Sequence, residues 1–492
     1  MILAETLLFS VSLIDCGAIL FLLVYYIITL SDLDASSEDE LKCVKIELPQ
    51  HLTAYLKNKE LCREVTTQLV CDYSLLENIT ANYVIVKEII SNLKWQDKVL
   101  CKHVCSMWHS AVLALRKEQM SPADFSISLR LSSIKNGIKF LKSSNFYTEP
   151  LAVFTFTNRT GFVTASRCES LVPSPCEPAC EQKHYLIDML HQELVAPKSC
   201  MFTIKACFLS YMPLPQSITY ENAIRHKMFL EADPYFGGIY IPAIPNVEFT
   251  VINITGVHIL KELFYDVVDK LAETRYVKGA IVFANDSYLL HSVEDIIFLN
   301  YFEKVQPNVP YALGGCIVED TINEEYDINE ILGGLVEGKD FISENLISIG
   351  IFSVPKNIPP DQTSNFDMYS LILRVSDWAK DKIQSSINEF ARRVPQFEHS
   401  VVIKLSCVGR DQKHELEQQY FRMAFPNTRL VGCYGNGELG INHPARAETE
   451  ELPKSAKRHR RDPGPQFGVM YSYSTIFLYI GWGKILYQPE ST

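Results

Sequence analysis

Residues 400–440 read SVVIKLSCVGRDQKHELEQQYFRMAFPNTRLVGCYGNGELG. The run Ser400 to Cys407 is apolar and rich in β-branched residues, the pattern of a buried strand. Gly409 permits a sharp turn, and a helical pattern follows over 412–424. Four glycines between Gly432 and Gly440 predict a tightly bent loop after it. Strand, turn, helix and glycine loop in this order predict a fold of helices packed on sheets, with polar groups gathered at a sheet rim.

Upstream the same texture recurs. Strands are expected at 151–157, 201–209, 247–254, 279–285 and 347–354, and again at 474–481. Helical patterns lie at 184–195, 258–274, 292–304 and 376–393. This alternation predicts an α+β or α/β body from residue 150 onward. Loops are expected at the acidic stretch 319–329 and at the proline-containing stretch 355–366, the latter dividing 150–355 from 370–485. Residues 76–120 read differently, as a small helical unit. Val84, Ile89, Ile90 and Leu93 fall near helical spacing, and so do Val99, Leu100, Val104, Met107, Trp108 and Val112. A unit this short buries little by itself and is expected to lean on a partner.

The chain has 492 residues and a net charge of −12, from 46 basic and 58 acidic side chains. That balance argues against general nucleic-acid binding, which needs a basic footprint. Fourteen cysteines form no C-x-x-C pair. Cys176, Cys180 and His184 could supply three metal ligands, but a second pair is missing, so no metal is expected. Reduced, buried thiols in a cytoplasmic or nuclear protein are the simpler reading. Sequons stand at Asn78, Asn158, Asn253 and Asn285 and would matter only in a secreted chain.

The amino terminus pulls the other way. Between residues 6 and 30 the single charge is Asp15, and residues 16–30 are apolar apart from Thr29. A membrane helix over 6–30 is therefore one reading, with Lys42 and Lys45 keeping the remainder in the cytosol. A buried helix is the other. Residues 31–75 read as a polar linker with a short amphipathic helix. Near the other end, residues 454–461 (KSAKRHRR) predict an exposed basic loop, either a nuclear signal or a solvated insertion within 441–468.

The sequence has no P-loop, no G-x-S-x-G, no H-E-x-x-H and no dinucleotide fingerprint. The chemistry-bearing residues gather instead around the opening stretch. Cys407, Arg410, Glu417, Asn436 and Glu438 are expected to form a polar ligand pocket. Arg410 and a helix amino terminus would lower the Cys407 thiol's pKa, with Glu438 facing Arg410. The alternative is that Arg410 and Glu438 merely pair to hold two turns together.

Val104-Cys105-Ser106-Met107-Trp108, within the segment Leu93 to Val112, resembles the V-C-x-x-W core of an F-box. The usual opening Leu-Pro is replaced by Ile79-Thr80-Ala81-Asn82. Cys407 to Arg410, Glu417, Phe425-Pro426, Gly435 to Gly440 and, upstream, Pro310 to Gly315 resemble a FIST body with its FIST-C portion. An F-box followed by FIST modules is similar to the F-box only protein 22 family, from about residue 75 to the end. Residues 1–75 and the basic insert depart from it.

The resemblance implies a non-catalytic substrate receptor of a Skp–cullin–F-box ubiquitin ligase, without a cofactor. It implies that Leu93, Leu100, Val104, Met107 and Trp108 contact the Skp adaptor, which joins the cullin scaffold, while the body holds a protein substrate. The runner-up reading is a small-ligand sensor, membrane-anchored if 6–30 spans.

Overall fold

The computed structural model describes residues 81–128, 138–167, 171–172, 183–194, 196–217, 235–285, 299–322, 345–357, 365–446 and 470–488. The expected amino-terminal segment, the basic run 454–461, Asn78 and the pair Cys176/Cys180 lie outside the described residues, as does the side chain of His184. The chain divides into two compact units, Met1–Glu118 and Gln119–Thr492.

The described residues of the first unit form three helices, α1 (Tyr83–Ser91), α2 (Trp95–Cys101) and α3 (Ser106–Glu118). Asn82 starts α1 by accepting the amides of Val84 and Ile85 at 3.0 and 3.3 Å, which satisfies donors left open at a helix start. Val86 and Ile90, four residues apart, turn inward together. They meet Cys101, Trp108, Ala111, Val112 and Leu115 in one core, with Leu93, Val104 and Met107 packed against it. Lys98 is buried and donates to the Ser91 carbonyl at 3.2 Å, closing the end of α1. Burial holds its ammonium down at about 8.

The second unit is built on strands. β1 (Ala123–Ser128), β2 (Ile138–Lys142) and β3 (Pro150–Thr157) open it, and α4 (Arg159–Val163) follows. Next come β4 (Ala165–Arg167), β5 (Leu171–Val172), β6 (Lys183–Tyr185), α5 (Leu186–Leu194), β7 (Met201–Lys205) and β8 (Phe208–Met212). The middle holds β9 (Tyr235–Pro242), β10 (Glu248–Ile254), α6 (Val257–Thr274), β11 (Arg275–Asn285), α7 (Tyr301–Val305), β12 (Ala312–Val318) and β13 (Asp320–Ile322). The rest comprises β14 (Ile347–Pro355), β15 (Phe366–Leu373), α8 (Lys380–Arg393), β16 (Gln396–Cys407), α9 (His414–Ala424) and β17 (Arg429–Gly435). The final strands are β18 (Glu438–Ile441), β19 (Met470–Tyr471) and β20 (Thr475–Tyr487).

Among the described residues these strands form three main sheets, ordered β13-β7-β3-β9-β1-β2-β5, β10-β14-β11-β12-β18-β19 and β15-β20-β16-β17-β8. Their inward faces share one core, with Phe154 and Phe202 from the first sheet, Phe283 and Phe352 from the second, and Ile403 and Trp482 from the third. α6 and α7 cover the outer face of the second sheet. α8 and α9 cover that of the third, where Phe421 stacks on Phe477 at 4.6 Å. α9 is the crossover between β16 and β17, which run parallel and so need one.

The portions 150–355 and 370–485 exchange strands. β8 completes the third sheet against β17, and β18 with β19 extends the second sheet from β12. β1 and β2, which lie between residues 120 and 150, belong to the first sheet. The glycine stretch also differs from a simple loop. β17 ends at Gly435 in the third sheet and β18 begins at Glu438 in the second, so the chain crosses between sheets there. A Cβ on Gly435 would run into the Ile317 carbonyl and the Cys316 sulfur. That close approach is what requires glycine. Two sequons are structural: buried Asn158 accepts the Gly161 amide at 2.8 Å, and buried Asn285 donates to the Asn345 carbonyl at 2.8 Å.

Among the described residues, no helix is long and apolar enough to cross a membrane.

Candidate functional site

The rim where β16 ends is held by Arg410. Its Nε donates to Glu417 Oε1 at 2.6 Å, and its Nη1 donates to the carbonyls of Arg374 and Tyr473, both at 3.1 Å. Nη2 reaches the Asp377 carbonyl at 3.3 Å. One side chain thus ties together the turns after β15, after β16 and before β20. Arg410 and Glu417 are both fully buried, which is tolerable because each charge is paired and hydrogen-bonded.

Glu417 sits in the first turn of α9 and holds a second cation. Its Oε2 lies 3.4 Å from Lys404 Nζ and accepts from Thr475 Oγ1 at 2.9 Å. Lys404 projects from the middle of β16 and also donates to the Tyr434 hydroxyl at 3.1 Å. Burial pulls its ammonium down to about 8, with Glu417 opposing that shift and Arg410 adding to it. His414 packs edge-on against Tyr434 at 4.0 Å, and burial followed by Lys404 takes its imidazole down to about 3. It is neutral at ordinary pH.

A second group faces the inter-sheet core. Glu438 is fully buried, and its Oε2 accepts from the Ser474 amide at 3.1 Å and from the Ser474 hydroxyl at 2.6 Å. Its Oε1 has no hydrogen-bond partner. Burial raises its carboxyl to about 8, against the opposing bonds from Ser474 and Cys407. Glu438 therefore carries a proton near neutral pH and can donate. The Cys407 thiol lies beside it and is raised by burial and by that carboxylate. Cys316 stands opposite Glu438 across the β12–β18 pair, and contact with Cys433 and burial push its thiol well up.

The structure brings together four of the five expected pocket residues as two pairs. Arg410 meets Glu417, and Cys407 meets Glu438. Asn436 stands exposed on the turn between β17 and β18, its amide bonded to the Ile317 carbonyl at 2.9 Å. Two expectations are corrected. Arg410 is engaged by Glu417, so Glu438 is not its ion-pair partner. The Cys407 thiol is shifted up, because burial and Glu438 outweigh the backbone bonds that lower it. Sequence reasoning missed Lys404 and Ser474. A lone lysine inside the apolar run Val401 to Cys407 was the available signal for the first.

In the helical unit the five expected contact residues separate. Trp108 is 5% exposed and fills the unit's own core, so it is not a surface anchor. Leu93, Val104 and Met107 are partly buried against that core. Leu100 is 62% exposed and Val84 is 73% exposed. Among the described residues, no cluster of histidine, cysteine or acidic side chains could hold a metal ion.

No known family profile and no curated protein matches the chain. A crystal structure of cyanuric acid hydrolase from A. caulinodans superposes on 73% of this chain and 98% of its own, at 8% identity and a TM-score of 0.27. At that score the likeness does not define a common fold.

Proposed function

We propose that this chain is the substrate-recognition subunit of a Skp–cullin–F-box ubiquitin ligase, acting in the cytoplasm or nucleus. In this reading, the helical unit binds the Skp adaptor and the β-rich unit holds a protein substrate for ubiquitin transfer by other subunits. The observation that supports it most is the helical unit itself. Three short helices close on Trp108 yet leave Val84 and Leu100 largely in solvent. Apolar side chains displayed on a small helical unit suit a helix-in-groove contact with a partner. The ion pairs of the β-rich unit close on themselves, which fits a structural rim better than a reaction centre. Incubation of the full chain with purified Skp adaptor and cullin tests the proposal. Co-elution on size exclusion supports it, and separate elution at micromolar concentration removes it.

A ligand-sensing body is the second reading, favoured by the unpartnered Oε1 of buried Glu438. A metabolite that raises the melting temperature of the native chain, but not that of Glu438→Ala, would support it.

A further inference from the structure

The turns that Arg410 fastens present cations on aromatic rings. The Arg374 guanidinium lies over the Tyr471 ring at 5.5 Å, and Lys413 Nζ lies over the Trp378 ring at 5.0 Å. Arg410 itself covers Trp378 from inside at 5.4 Å. Arg374 is exposed, while Lys413, Trp378 and Tyr471 are half-buried. Tyr473 is 52% exposed although its φ of 54° puts it in the left-handed region. An aromatic residue adopts that conformation only where its surroundings impose it. Here Arg410 grips its carbonyl, and its ring lies over Gly409, where a Cβ would collide with it.

Two acids near the rim are already engaged. Asp377, the acid inside the rim, is taken by Arg446 at 2.8 and 3.1 Å and by the Arg374 amide at 2.9 Å. Glu417 is buried behind Arg410. Glu415 and Asp381 are exposed, in the first turns of α9 and α8. A cation resting on a ring keeps its outer side free for a carboxylate, and a guanidinium can take one with two parallel bonds.

We propose that the rim of Arg374, Trp378, Lys413, Tyr471 and Tyr473 is a docking surface for an acidic segment of a partner protein. Such a segment would set carboxylates on Arg374 and Lys413 and lay apolar groups over Tyr473 and Trp378. Acidic-motif capture by fixed cations is a recurrent mode of peptide recognition. The net charge of −12 disfavours nucleic acid as the occupant, because the repulsion acts along its whole length. The proposal stands apart from adaptor binding, so either can fail alone.

Fluorescence anisotropy of the full chain tests it at about 0.15 M salt, where only close charge contacts survive screening. The probe is a labelled peptide of alternating Glu and Tyr, compared with its Gln counterpart. The acidic peptide is expected to bind and the Gln peptide to bind at least ~tenfold more weakly. Arg374→Gln with Lys413→Gln should lose that preference, and Arg374→Glu with Lys413→Glu should transfer it to a Lys-Tyr peptide. Arg116→Gln with Lys117→Gln, on α3, should change nothing. Equal binding of the two peptides by the native chain overturns the proposal. So does undiminished binding by the Gln variant, or preference for a labelled single-stranded oligonucleotide.

Discussion

Arg410 and Glu417 meet at 2.6 Å with both side chains sealed from solvent, and the guanidinium spends its remaining bonds on three carbonyls from two other turns. The pair is thus a clamp on the rim of the third sheet. Removing one partner leaves a buried charge without compensation. Arg410→Met should lower the unfolding free energy by roughly 3–5 kcal/mol, read from denaturant titration followed by circular dichroism. A loss below about 1 kcal/mol would show that the rim closes without the clamp.

Glu438 makes the β-rich unit sensitive to pH. Its carboxyl is raised from 4.5 to about 8 in the folded state, so the native chain binds more protons than the unfolded chain between those values. Its contribution is fully present below pH 4.5 and is lost as pH rises toward 8, with a slope of at most about 1.4 kcal/mol per pH unit. Lys404, lowered from 10.5 to about 8, acts in a higher window, adding stability as pH rises from about 8 to 10.5. Glu438→Gln keeps the neutral form at every pH. Melting temperatures from pH 5 to 8 should therefore fall less steeply in the variant than in the native chain.

Much of this architecture was legible as strings of apolar residues. The strands expected at 151–157, 247–254 and 347–354 are seen at 150–157, 248–254 and 347–355; the first and last are almost wholly buried, and the middle one is anchored by buried Ile252 and Ile254. Strands carrying glycine pairs escaped notice. β9 contains Gly237-Gly238 and β12 contains Gly314-Gly315, and such a pair reads locally as a turn or as close packing. In the fold they make room, since a Cβ on Gly238 would strike Phe125, and one on Gly315 would strike the Val282 carbonyl. Those neighbours are distant in sequence and leave no local signature. The candidate rim was legible in membership and not in pairing. Cys407, Arg410, Glu417 and Glu438 stand out as polar residues beside turns. Whether Arg410 turns toward the helix or toward the inter-sheet core depends on which face of β16 each neighbour occupies.

The cysteines differ in reach. Cys105 is exposed, while Cys101 is buried and Cys407 nearly so. Burial, followed by the Asp97 charge, takes the Cys101 thiol up to about 11. The thiolate is the reactive form, so a mild alkylating probe should modify Cys105 well before Cys101 or Cys407. Above about pH 8, where Glu438 is ionised, Glu438→Gln removes the carboxylate that opposes the Cys407 thiolate and should quicken labelling there alone. Time-resolved mass spectrometry of labelled peptides reads both outcomes, and Cys407 labelling ahead of Cys105 would show an access route to the rim.

The helical unit separates folding from binding through two of its residues. Trp108 fills the core formed by α1, α2 and α3, and truncating so large a buried ring costs roughly 3–5 kcal/mol. A unit with so small a core has little stability to lose. Trp108→Ala should therefore erase its cooperative unfolding, and any loss of adaptor binding would follow from that. Leu100 is 62% exposed and contributes little to the core. Leu100→Asp should leave the melting curve within about 0.5 kcal/mol of native, as surface changes usually do. If Leu100 is a buried anchor in the complex, the same change should weaken adaptor binding by roughly 2 kcal/mol or more. Calorimetric titration of the folded Leu100→Asp protein with the Skp adaptor decides it. Unchanged affinity in that protein would move the contact away from α2, toward the exposed Tyr83, Val84 and Ile85 on α1.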